Sequence, residues 1–375
     1  MKQYVYADNA ATTKMDKVAY EAMTPYLLEE YGNASQPYAF SRTPKKALKE
    51  ARETIASCIG AFPDEIYFTS GGTESDNWAI KGVATSNKRK YTIITSSFEH
   101  HAVLHSCAAM EMLGHRIVYL NPEKTGEISQ DVLKRELTEE TKLVSVMYAN
   151  NEIGSIQPIK DLVDIAHDKG VLFHTDAVQA VGHVDVDVHS LGVDMLSASA
   201  HKFNGMKGCG FLYIRKGCGL IPYADGGAQE AGSRAGTENI PGIVAMGAAL
   251  KNNCDHLEEN IKKITCLESK FLRMLAESNI PFVRNGGLHT LPGLISLSFP
   301  GADGEAILHR LDLLGICIST GSACNSQNTE ISHVLKAINL DDEYAKGTIR
   351  ISLGKYNTME DVEKIVNGLK KILAE

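Results

Sequence analysis

The sequence contains no apolar run approaching the roughly 18–20 residues that a membrane-spanning helix needs. Its opening, MKQYVYADNAATT (1–13), lacks the apolar core of a signal peptide and the arginine-rich character of a transit peptide. A membrane association is therefore not expected, and a cytoplasmic location is the default. There is no excess of positive charge: 38 Lys and Arg stand against 46 Asp and Glu, a formal net charge of -8. That balance argues against nucleic acid as a direct partner. Eight cysteines are present, but there is no CxxC pair and no zinc-like spacing, so no metal is expected and the thiols are expected free in a reducing compartment. Internal repeats, low-complexity tracts and long charge runs are also missing. What remains is an ordinary globular composition, 43% hydrophobic and 22% charged over 375 residues. That length allows two domains with ample buried core.

Short apolar runs alternate with helix-length segments. EIYFTS (65–70), YTIITS (91–96), RIVYL (116–120), KLVSVMY (142–148), GVLFHTD (170–176), VDMLSASA (193–200) and GFLYIR (210–215) read as strands. Helical patterns lie between several of them, such as PIKDLVDIAHDKG (158–170), which ends at a glycine. This alternation predicts an α/β fold with a mostly parallel, seven-stranded sheet covered on both faces. Thr43 and Pro44 read as the N-cap and first turn of a helix running to about Ile59. Residues 241–278 read as one long helical spine leaving the first domain. From about residue 280 the pattern becomes a smaller α+β unit, with strands at 294–299 and 348–354. Its last helix carries Val362, Ile365, Val366, Leu369, Ile372 and Leu373 on one face.

Three consecutive strands end in unusual polar residues. One runs into Asn150 and Asn151, the next into Asp176 and Gln179, the third into Ser199, His201 and Lys202. Ligands of open parallel sheets bind beyond the carboxyl ends of the strands. If these strands are neighbours, an acid and a lysine converge on one rim. They could form a structural ion pair, or the lysine could serve Schiff-base chemistry. In FTSGGTESDNWAIKG (68–82) a strand meets a tight Gly71-Gly72 turn and a helix starting near Thr73. Such a turn can be no more than a turn, but it can also present backbone amides to an anion. It is neither a Walker motif nor GxGxxG. A lysine, an acid and an anion cradle on one rim together suit pyridoxal 5'-phosphate.

Seven of the cysteines lie mostly beside apolar residues or in helical segments, where cysteine acts as a small hydrophobe. Cys324 differs. It sits in STGSACNSQN (319–328), a polar stretch that reads as an exposed loop.

The segments ADNAATT (7–13), FTSGGTESDN (68–77), EHHAVL (99–104), NNEIG (150–154), HTDAVQ (174–179), SASAHK (197–202), RAGTEN (234–239), TGSAC (320–324) and IRISLG (349–354), in this order, resemble the cysteine desulfurases of the NifS/IscS type. These are class V, fold-type I enzymes of pyridoxal phosphate. The resemblance spans essentially the whole chain. It implies an aspartate aminotransferase-like fold, with a large cofactor-binding domain over 15–255 and a smaller domain made of 1–14 and 256–375 that carries the cysteine loop.

The resemblance also implies roles. Lys202 would form the imine with the cofactor. Asp176 would keep the ring nitrogen protonated, Gln179 would contact the ring hydroxyl, and Asn151 would border the ring. His100, rather than His101, would stack on the ring and move protons. Gly72, Thr73, Ser199 and His201 would form the phosphate cradle, with Thr237 supplied from the partner subunit of a homodimer. Arg350 would grip the carboxylate of L-cysteine as a fork, helped by Asn33. Cys324 would take the substrate's sulfur as a persulfide, leaving alanine. The sulfur would then pass to an acceptor protein for iron–sulfur clusters or tRNA thiolation. Cys317, His105, His333, Cys209 and Cys218 receive no such role and read as ordinary packing or helical residues.

The chain departs from the family's usual pattern at four places. Tyr38 stands where histidine is usual and Ser41 where glycine is. Ala228 replaces a glycine and Ala231 an arginine. These changes leave open a selenocysteine lyase or a Cβ–S lyase acting on a modified cysteine. A non-catalytic sulfur carrier is disfavoured by the joint presence of Lys202, Asp176, Arg350 and Cys324. An aminotransferase of the same class would have no use for the Cys324 loop.

Overall fold

The computed structural model describes residues 4–320 and 331–374; Cys324 lies outside the described residues. Twelve strands are present among them: β1 (Val5–Tyr6), β2 (Ile66–Thr69), β3 (Thr92–Ser96), β4 (Arg116–Leu120), β5 (Thr141–Ser145), β6 (Leu172–Asp176), β7 (Met195–Ser199), β8 (Gly210–Ile214), β9 (Val283–Asn285), β10 (Leu294–Ser298), β11 (Ile316–Cys317) and β12 (Thr348–Ser352). All seven strands expected for the main sheet form. They line up in the order β2-β8-β7-β6-β5-β3-β4. Only β8 runs against its neighbours.

Alternation along these strands feeds two apolar layers, because successive side chains leave a sheet on opposite faces. Ile93, Leu143, Met195 and Leu212 enter the layer under the helices Gly72–Ala84 and His101–Met112. Their neighbours Ile94, Val144, Leu196 and Phe211 enter the larger layer that also receives Ile159, Leu162 and Val163 of the helix Ile159–His167. A sheet covered twice cannot bind through its faces. It is left with the ends of its strands.

A second core gathers Val5 and Ala7 with β10, β12, the helix Gly304–Leu313 and the last helix Met359–Leu373. That last helix starts with a capping box between Thr358 and Asp361. It buries Val362, Ile365, Val366, Leu369 and Ile372, each worth roughly 1.5–3 kcal/mol of transfer from water. Strands β12-β10-β9 form an antiparallel sheet. The short helix His333–Ala337 belongs instead to the larger core, through Val334 and Leu335.

Two expectations need correction. The long spine is two helices, Ile240–Asp255 and Leu257–Ala276, broken at His256, whose backbone leaves the helical region (φ -116, ψ 21). No Gly or Pro signals this break. The helix expected to follow an N-cap at Thr43 starts earlier, at Arg42, with Ser41 in the cap position and Pro44 inside the first turn. Where residues 355–356 return to the large sheet's side, buried Asp16 accepts from Lys355 Nζ (2.6 Å), Tyr356 Oη (2.6 Å) and Asn252 Nδ2 (2.9 Å). No helix among the described residues is long and apolar enough to cross a membrane.

Candidate active site

Strands β5, β6 and β7 are adjacent, so the three polar strand ends do meet. They form the floor of a cavity of about 700 Å³, within the size range of small-molecule sites. Asp176 is the last residue of β6, Ser199 the last of β7, and His201 and Lys202 follow in a single turn of 3-10 helix. Asn151 and Gln179 also line the cavity. The Gly71-Gly72 turn closes one end. Gly71 has φ +150, a conformation glycine tolerates, and a Cβ on Gly72 would lie 2.5 Å from Val178 Cγ2. The 13-residue helix Gly72–Ala84 therefore points its free amides at the cavity beside Ser199 and His201. Thr73 is exposed at that end.

Asp176 is 5% exposed and accepts a hydrogen bond from the amide of Val178 (2.9 Å). Burial, more than anything else, raises its pKa, while His100 and Lys202 oppose the rise. A buried carboxylate so placed fits a protonated ring nitrogen. His100 caps the helix His101–Met112: its Nδ1 accepts from the amide of Ala102 (3.1 Å), which leaves Nε2 as the protonated nitrogen of the neutral ring. Burial lowers its pKa, partly offset by Asp176. His201 is pushed down to about 4 by burial and by Lys202 and Lys207, so it meets a ligand as neutral imidazole.

A wall from distant parts of the chain faces this floor. Lys202 Nζ donates to the carbonyls of Ala10 (2.5 Å) and Ala11 (2.9 Å), and Gln179 Nε2 donates to the same Ala10 carbonyl (3.0 Å). His201 Nδ1 lies 3.1 Å from Thr12 Oγ1. Arg350, 4% exposed, donates from Nη2 to Asp8 (2.7 Å) and from Nη1 to the carbonyl of Asn151 (2.9 Å). Its Nε is buried with no hydrogen-bond partner, which is what an arginine awaiting a carboxylate presents. Glu152, buried beside it, accepts from Ser332 Oγ (2.5 Å) and has its carboxyl raised to about 7 by burial.

Ten of the residues expected at the site thus line one cavity: Gly72, Thr73, His100, Asn151, Asp176, Gln179, Ser199, His201, Lys202 and Arg350. Asn33 does not. Its side chain accepts from the amide of Ser35 (2.9 Å) in a local turn. Thr237 is also away from the cavity and exposed, three residues beyond Arg234, which is paired with Glu74 of the helix behind the glycine turn (2.8 Å). The four departures lie off the cavity too. Tyr38 is exposed, Ser41 is buried under Gly32, Ala228 precedes a short turn, and Ala231 sits in that turn at φ +54.

Sequence reasoning gave no role to Asp8, Asp76, Glu99 or Glu152, although each lies inside a segment quoted above. It read His333 as an ordinary helical residue, yet His333 lines the cavity, with Nε2 2.9 Å from the carbonyl of Glu99. The one group of three potential metal-ligating side chains among the described residues is Asp76, His100 and Asp176. It does not include Cys209 or Cys218.

The donor set suits pyridoxal phosphate: a buried acid, a lysine, and a glycine-lined helix start that a Cβ would fill. Comparison with known proteins agrees. The aminotransferase class-V family profile matches residues 5–365. Cysteine desulfurase IscS of Dictyoglomus turgidum is 50% identical over 376 residues, covering 100% of this chain and 95% of its own. Among solved structures, a NifS-like protein superposes with a TM-score of 0.94 at 39% identity, covering 99% of this chain and 100% of its own. SspA in complex with cysteine superposes with a TM-score of 0.84 at 36% identity, covering 94% and 99%. Matched in this way over almost its whole length, the chain belongs to the class-V aminotransferase family, among the cysteine desulfurases of the NifS/IscS type.

Proposed function

We propose that this protein is a cysteine desulfurase that uses pyridoxal 5'-phosphate to turn L-cysteine into L-alanine, with the sulfur held as a persulfide on Cys324. The observation that carries the reading is the convergence of Lys202, buried Asp176 and the half-satisfied Arg350 on one cavity. Its relatives support the substrate: one is a cysteine desulfurase by name, and another was solved with cysteine.

When bound, the cofactor supplies an electron sink that makes the amino acid's Cα–H acidic and its Cβ–S bond breakable. The chain's own residues do the rest. Asp176 would hold the ring nitrogen's proton, and Ser199, His201 and the amides after Gly71 would take the phosphate. Arg350 orients the substrate carboxylate through its free Nε edge, with Asn151 and Asp8 fixing the guanidinium. Lys202 Nζ, on the same cavity, would anchor the cofactor and would move the Cα proton. His100 Nε2 carries a proton over the same cavity. Cys324 would then attack the substrate's sulfur as a thiolate: an S–S bond forms, the Cβ–S bond breaks, Cβ takes a proton to become the methyl group of alanine, and Cα regains the proton it gave up.

The finer features belong to the same reading. Thr237 reaches the phosphate of the partner subunit in a homodimer, Asn33 assists Arg350 once substrate is bound, and an acceptor protein collects the sulfur in the cytoplasm. The division into 15–255 and 1–14 with 256–375 draws support from the two separate cores, with the helix His333–Ala337 riding on the larger one.

The test is alanine released from L-cysteine, with a reductant present, by cofactor-loaded parent and by Cys324→Ala. Robust alanine from the parent and almost none from the variant is expected. Equal alanine from both would remove Cys324 as the sulfur acceptor and leave a lyase.

A further inference from the structure

Behind Asp176 stands a second acid for which the chemistry above has no use. Asp76 lies one turn into the helix that starts at Gly72 and is 1% exposed. One carboxylate oxygen of Asp76, one of Asp176 and one ring nitrogen of His100 lie within 4.8 Å of one another. Asp76 Oδ1 makes no hydrogen bond, and its neighbour at 3.7 Å is His174 Nε2. That imidazole is no counter-charge. It is wholly buried between Ser145 Oγ (2.8 Å) and Ser197 Oγ (2.9 Å), and burial pushes it down to about 3.

The groups facing Asp76 are therefore Asp176 and His174 from β6, Ser197 from β7, and Glu99 and His100 from the turn after β3. Glu99 is itself held up to about 8 by burial, its Oε1 accepting from Ser96 Oγ and the amide of Met147. Lys202, whose Nζ donates to the carbonyls of Ala10 and Ala11, acts on Asp176. Two carboxyls this close, both out of water, disfavour a second negative charge. Burial, and after it Asp176, raise the pKa of Asp76 against a smaller opposing pull from Ser197. Asp176 keeps a backbone donor and the company of His100 and Lys202, so it is the better anion of the two.

Resting on the reading that this cavity holds pyridoxal phosphate, we propose that Asp76 is a positioning acid: it carries the proton of the Asp76–Asp176 pair and so leaves Asp176 the single carboxylate facing the ring nitrogen. Were the proton on Asp176 instead, the ring nitrogen would face a neutral acid, and the electron sink would weaken.

The experiment is infrared difference spectroscopy of the cofactor-loaded protein, parent minus Asp76→Asn, in H2O and D2O. The expected result is a carbonyl stretch of a protonated carboxyl that is present in the parent, shifts in D2O and is missing from the variant. Because an amide is neutral and can still donate, Asp76→Asn should also keep its affinity for pyridoxal phosphate within about threefold. Asp76→Ala removes the donor and should lose about tenfold or more. Carboxylate bands disappearing in the difference spectrum, or an affinity as poor for Asp76→Asn as for Asp76→Ala, would overturn the assignment, because both mean that the ionised form is the working one. Should the variants fail to fold, parent protein labelled with 13C at its aspartate carboxyls gives the same answer. One buried resonance must stay in the acid form across neutral pH, and its absence overturns the proposal. A parent that takes up no pyridoxal phosphate would instead refute the functional reading.

Discussion

On the floor of the cavity, Asp176, Ser199 and Lys202 stand at or just after the ends of adjacent strands, each delivered by the run of apolar residues before it. The wall is assembled otherwise. Asp8 meets Arg350 across 342 positions of sequence, and the carbonyls of Ala10 and Ala11 meet Lys202 across about 190. The floor is a by-product of building a sheet. The wall exists only after the chain's two ends have returned to it. The difference implies that floor substitutions should strike chemistry, whereas wall substitutions should strike binding and stability.

The largest effect is expected on the floor. Lys202→Ala removes the amine that we propose forms the imine and moves the Cα proton. Alanine formation should fall by roughly a thousandfold or more, a loss of the kind seen when a residue acting directly on the reacting atoms is deleted. Thermal stability should change far less, because Lys202 Nζ meets the wall at backbone carbonyls, those of Ala10 and Ala11. A variant that kept a tenth of the activity would break the contrast, since a floor residue would then be doing wall work.

This contrast also marks what could be read beforehand. The seven strands were legible because each is a short apolar run bounded by polar residues. The floor was legible because a strand's end fixes the next few side chains. The break at His256 carries no Gly or Pro and was hidden inside a continuous helical pattern. The wall's donors and acceptors are largely backbone: nothing in the letters of Ala10 and Ala11 says that their carbonyls receive a lysine. Asp76 and Glu152 were hidden differently. Both are acids in polar-looking segments, TESDN and NNEIG, and only the packing shows them to be 1% and 6% exposed. The position of Cys324 lies outside the described residues, so its role rests on the resemblance alone.

A pH measurement sharpens the wall side. Burial raises the Glu152 carboxyl to about 7, against smaller opposing pulls from Ser332 and Arg350. Because its folded value exceeds its unfolded one, the folded protein keeps a proton that the unfolded chain gives up. The stability this contributes is complete below the ordinary carboxyl range and is lost as pH rises through about 7. Glu152→Gln cannot lose that proton and keeps an amide beside Ser332. Measured by urea unfolding, the variant should therefore gain roughly 2–3 kcal/mol on the parent between about pH 4 and pH 8. A difference that stays flat over that range would mean that Glu152 is ionised throughout as a partner of Arg350, making the wall an ion-pair network instead of a protonated latch.

The smallest effect separates positioning from chemistry most cleanly. Asp8 holds Arg350 Nη2 at 2.7 Å while the carbonyl of Asn151 holds Nη1 at 2.9 Å, so the guanidinium is fixed at two corners and open at Nε. Asp8→Asn keeps the shape and weakens one charged corner. A charged hydrogen bond is worth about 1.5–3 kcal/mol, and an amide should return part of that, so KM for L-cysteine should rise about tenfold with kcat nearly unchanged. A fall in KM would show that Asp8 competes with the substrate's carboxylate for the same fork. A fall in kcat at constant KM would move Asp8 to the floor's side of the comparison, because the arginine would then be aligning the reacting atoms in the transition state and not merely holding the substrate.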